Sequence, residues 1–134
     1  MLAVRRFPIL LPFLFLAGCG DITVNFLSFS SWGGLHIGIT ITVNGARVEY
    51  DCAEGEIFEP IRPVNGRFSV IGIHRAGRGG PVGIDHSTPP RPARYDGVVR
   101  GDRMTLTVTL TDRNERLGVF ELTGGADPHV IKCL

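Results

Sequence analysis

The chain has 134 residues, with 14 Lys and Arg against 13 Asp and Glu, and 18 Gly, 9 Pro and 3 Cys. That length points to one domain, the charge balance excludes the broad basic footprint of a nucleic-acid binder, and 43% hydrophobic content excludes a disordered tail. So many Gly and Pro also argue against a helical bundle. Taken in chain order, residues 1–18 read as a signal peptide. Arg5 and Arg6 form a positive start, and the apolar run 7–16 is interrupted only by Pro8 and Pro12. Spanning a bilayer as a helix takes about 20 residues, and two prolines further weaken such a helix, so the run is not read as a permanent anchor.

The run ends in Leu16-Ala17-Gly18-Cys19, which resembles the lipobox of bacterial lipoproteins. The resemblance implies cleavage before Cys19, a diacylglyceryl group on its thiol and an acyl chain on its amine, with membrane lipid as the partner. Each buried methylene adds about 0.8 kcal/mol, so two or three chains hold a protein on a bilayer where one does so only marginally. Gly20, rather than an Asp, follows the cysteine. In enterobacteria-like sorting this implies the outer membrane, with the protein facing the periplasm or the cell surface. The competing reading is an ordinary cleaved secretory signal that contains a cysteine.

The expected division is therefore a signal peptide (1–18), a lipidated N-terminus and tether (19–34) and a β domain (35–134), with 22–29 either tether or first strand. Loss of Arg5 and Arg6 takes the 14 basic residues to 12 against 13 acidic ones, which leaves the mature chain close to neutral. Cys52 and Cys133 remain, and in an oxidising exported setting one disulfide is the natural arithmetic; two free buried thiols are the alternative. Closing so long a loop is worth about 4 kcal/mol in the chain-entropy account, and it would pin the C-terminus to an early strand.

Residues 35–43 alternate apolar and polar positions, Asn44-Gly45 signals a type I′ hairpin turn, and 47–52 returns with Val48, Tyr50 and Cys52 on one face. Residues 56–61 form a short strand, Asn65-Gly66 repeats the turn signal, and 67–74 is another β-rich run. Residues 95–99 lead through Gly101-Asp102 into 104–111, the clearest strand, in which Met104, Leu106, Val108 and Leu110 alternate with threonines. Residues 117–123 return and 130–134 close the chain. About seven short strands with hairpin turns predict an all-β antiparallel meander, a partly closed barrel or alternatively a two-sheet sandwich. Residues 66–72, 94–97, 101–108 and 132–133 look like a group of small uncharacterised exported bacterial β-proteins; the likeness supports the fold and implies no activity.

One stretch, 75–94, has no periodicity and exceeds the roughly 12 to 15 residues that structureless loops reach in compact domains. It carries Arg75, Arg78, Arg91 and Arg94 against Asp85 alone. Planar guanidinium forks and glycine-rich backbone suit phosphates or carboxylates of envelope glycans or lipids; a solvated surface loop is the plain alternative. His74, Asp85 and His86 are the only residues that could gather as a metal or hydrolase site, and their spacing matches no standard ligand pattern. Asp85-His86-Ser87 holds triad residue types, but adjacent residues cannot form the relay, and no Gly-x-Ser-x-Gly elbow is present. The expectation is a lipid-anchored, non-enzymatic binding or structural accessory module of the cell envelope, without cofactor. Two alternatives remain, a small hydrolase or metal-binding protein and a barrel that carries a ligand in its interior.

Overall fold

A computed structural model of the chain describes residues 27–77 and 88–133. These residues form eight strands and no helix: β1 (Ser31–Gly34), β2 (Ile37–Thr42), β3 (Gly45–Tyr50), β4 (Ala53–Ile57), β5 (Arg67–Ala76), β6 (Arg91–Arg100), β7 (Arg103–Leu110) and β8 (Glu115–Gly124). Each pairs antiparallel with the next, and β1 pairs with β8 through Trp32–Gly124, Gly33–Thr123 and Gly34–Leu122. The meander is thus a closed barrel rather than a sandwich. Closure comes from this ladder, which satisfies the backbone groups that two edge strands would expose.

The strands follow the alternation in the sequence, and the departures have local causes. β1 falls inside the stretch expected to be tether, and the strand expected over 35–43 starts only at Ile37. Leu35 and His36 turn the chain, with His36 at φ 67°. The β2–β3 hairpin forms, but Thr42 pairs with Gly45, so its turn is Val43-Asn44 without positive φ and is not type I′. That geometry occurs at Asn65-Gly66, with φ of 51° and 75°, between bridged Val64 and Arg67. β4 lies earlier than the expected 56–61, because Asp51 and Cys52 make a two-residue turn and Pro60 and Pro63 cannot donate to a ladder. β5 and β6 extend to His74–Arg91 pairing, so the supposed loop 75–94 shrinks to 77–90. Charged strand ends do not alternate in hydropathy, which hid this extension. Residues 130–133 are not a strand.

The inward positions fill the barrel. Trp32, Ile37, Ile39, Val48, Tyr95, Met104, Leu106, Val108, Leu110 and Leu122 are almost wholly buried, and burying each Val, Leu, Ile or Met side chain contributes about 1.5–3 kcal/mol. Two glycines make room for aromatics. The Phe68 ring lies over its cross-strand partner Gly97, and the Tyr95 hydroxyl occupies the space a side chain at Gly55 would take.

The even-numbered strands end where the odd-numbered ones begin, which defines two ends of the barrel. At the proximal end the described chain enters through Leu27, and buried Ile61 and Pro63 close the barrel together with Phe29. Phe29 stacks edge-on against Trp32, with ring centroids 5.5 Å apart, and its carbonyl accepts the indole N–H at 3.1 Å. From β8 the C-terminal tail runs back outside the barrel to the distal end. It lies against Gly33 and Gly38, an outward cross-strand pair whose missing side chains let Asp127 and Pro128 approach the backbone. His129 then exchanges backbone hydrogen bonds with Gly34 and His36, Cys52 N–H donates to the Ile131 carbonyl, and Cys133 is disulfide-bonded to Cys52 across 81 residues. The bridge therefore joins the tail to the β3–β4 turn.

Candidate functional site at the distal end

The distal end gathers most of the barrel's polar chemistry, because the strand ends there place charged residues at inward positions above the last apolar layer. His74 and Arg91 face each other across β5 and β6. Arg91 holds Asp112 with two hydrogen bonds, Nε to Oδ2 at 3.0 Å and Nη2 to Oδ1 at 2.9 Å, and Nη2 reaches Glu115 at 3.5 Å. The guanidinium lowers the Asp112 pKa, and the carboxylate raises that of Arg91. His74 packs edge-on against Tyr50 with ring centroids 5.1 Å apart, and its Nδ1 is buried without a partner. Burial first, and the charge of Arg91 second, lower the His74 pKa, so the neutral ring is favoured.

Below them, the Tyr95 hydroxyl donates to the Ile73 carbonyl at 2.8 Å. The Tyr50 hydroxyl is buried without a partner, and burial raises the pKa of both phenols. Beside Tyr50 an open cleft of about 410 Å³ lies between the disulfide and the β4–β5 edge. Arg75, Glu54, Lys132 and Thr88 line it. Arg75 donates from Nη1 to Glu54 at 3.2 Å, while its Nε is buried without a partner among the described residues. Across the tail, Asp51 accepts the Ile131 N–H at 2.7 Å and pairs with His36 Nδ1; the backbone bond is the main cause of its lowered pKa, followed by His36.

The structure thus redistributes the residues singled out in the sequence. Arg75, Arg91 and Arg94 lie on strands rather than a loop, and each faces a carboxylate; Arg94 pairs with Asp96 at 2.9 Å on the outer wall. They do not converge on one anion site. Arg78, Asp85 and His86 lie outside the described residues, as does Cys19. Among the described residues no three His, Cys, Asp or Glu side chains come together as a metal site. What the sequence did not indicate is the set formed by His36, Asp51, Tyr50 and Lys132, in which β2–β3 pairing joins the first three and the returning tail adds Lys132. The facing Gly33 and Gly38 were the available signal, since paired outward glycines in a strand mark a close backbone approach.

Fold and site together define a small, closed, eight-stranded meander barrel with one polar end. Comparison of the chain with protein-family models, with curated proteins and with solved structures gives no match.

Proposed function

We propose that this protein is a lipid-anchored component of the bacterial cell envelope, held through acylated Cys19 and serving as a non-enzymatic binding or structural accessory module. Its distal cleft would engage acidic groups of an envelope glycan. The observation that carries this reading is the cleft itself, which Arg75 and Lys132 line at the distal end of the barrel. A planar guanidinium suits carboxylate or phosphate oxygens. The lipobox-like residues 16–19 and the neutral mature charge agree with an anchored, exported protein.

Two measurements test it. Cys19→Ala should move the full chain out of the membrane fraction, and retention there in high salt would contradict the anchor. Arg75→Ala with Lys132→Ala should weaken binding of an acidic oligosaccharide by about tenfold, as loss of a charge-assisted bond predicts. Unchanged binding would remove the cleft from the proposal.

A further inference from the structure

The proximal end shows a different surface from the cleft. Three apolar side chains stand out from its connections. Val43 in the β2–β3 turn is 86% exposed, and Phe58 and Val64 in the β4–β5 connection are 61% and 42% exposed. Exposed Arg62, Arg67, Arg100 and Arg103 lie at the same end, and none lies within ion-pair distance of a carboxylate among the described residues. Among the described residues the connections at this end supply Glu59, Asp102 and Asp127 in opposition, and Glu59 is engaged by the Ile71 N–H at 2.8 Å. Elsewhere on the barrel Arg75, Arg91 and Arg94 have carboxylate partners, and at the distal end Arg113 and Arg116 have none among the described residues.

We infer that the proximal end rests on an anionic lipid surface, with Val43 and Phe58 dipping into the headgroup boundary and Arg62, Arg67, Arg100 and Arg103 facing lipid phosphates. The inference rests on the reading of Cys19 as the lipid attachment. From Cys19 to Leu27 the chain can span at most about 28 Å, so an acylated Cys19 keeps the end bearing Leu27 close to the bilayer. Apolar tips and cations at one end suit an interfacial layer, in which the tips find hydrocarbon and the guanidiniums find phosphate.

The experiment uses the full mature protein, processed in a lipoprotein-producing bacterial host and reconstituted into phosphatidylcholine vesicles with or without phosphatidylglycerol. Trp32 is the only tryptophan and is buried, so it serves as an internal reference. Phe58→Trp adds a probe at the proximal end, and Leu35→Trp adds one at the distal end, where Leu35 is 68% exposed. Lipids brominated in their acyl chains should quench the probe at 58 and leave the probe at 35 bright. Reversing Arg100 and Arg103 to Glu should reduce quenching at 58 by about tenfold on phosphatidylglycerol vesicles while the protein still floats with them. Equal quenching at 58 and 35, or none at 58 in protein that floats, overturns the inference and leaves the anchor standing. Protein that fails to float overturns the anchor and the inference with it. Equal quenching without phosphatidylglycerol removes the arginines' role, and protection of position 58 before vesicles are added assigns this face to a second copy of the chain.

Discussion

The two ends of the barrel solve the same problem in opposite ways. Each must cover the last layer of a packed interior. The proximal end does so with apolar plugs, Phe29, Ile61 and Pro63. The distal end does so with titratable groups, His74, Arg91, Asp112 and Tyr50, and adds a covalent fastening through Cys52 and Cys133. Stability at the first end should therefore be indifferent to pH and redox state, and at the second it should depend on both.

Trp32→Ala should produce the largest effect, because Trp32 joins the β1–β8 closure to the Phe29 plug. Truncating a buried Trp costs about 3–5 kcal/mol, to be read from urea unfolding, and the loss should be the same at pH 5 and pH 8. A strongly pH-dependent loss would mean that the two ends are not independent. Next, replacing Cys52 and Cys133 by serine should cost about 2–4 kcal/mol and raise hydrogen exchange at His129 and Ile131, while the Trp32 environment stays unchanged.

Smaller effects come from titration. The His74 pKa is lowered from 6.5, so the folded state binds fewer protons at this site than the unfolded chain does. Its contribution is complete above about pH 6.5 and is lost as pH falls through the lower folded value. His74→Phe should flatten the melting temperature in that window. Asp51 acts further down the scale. Its pKa lies below 3.8, so the tail attachment it provides is full above that value and disappears as pH drops through the folded pKa; Asp51→Asn should remove this acid limb. The smallest change expected is in Arg91→Ala, an exposed pair whose loss should barely move the melting temperature but should raise the His74 pKa in an NMR titration.

The sequence made the wall of the barrel legible and left its ends obscure. β7 could be read directly because Met104, Leu106, Val108 and Leu110 occupy one face at a period of two, and that period is the physical signature of a half-buried strand. The Cys52–Cys133 pairing followed from compartment and count. The extension of β5 and β6 through His74 and Arg91 did not show, since at the rim an inward side chain can be polar or charged. A barrel was expected from the meander, but not the strand that closes it: β1 has only four residues, SWGG, and its glycines matter through what lies against them, Thr123 on one side and the tail on the other. The cleft was hidden for the same reason, because Arg75 and Lys132 are distant in sequence and meet only through the tail.

That tail gives the molecule a direction. The chain enters the barrel at one end and is fastened at the other, and ten-residue strands tilted by about 40° separate the two by about 25 Å. A reporter or partner domain fused after the tail would accordingly be carried by a stiff post, its distance from the point where the chain enters set by the barrel and locked by one sulfur bridge. Reducing that bridge would lengthen the leash without moving the post.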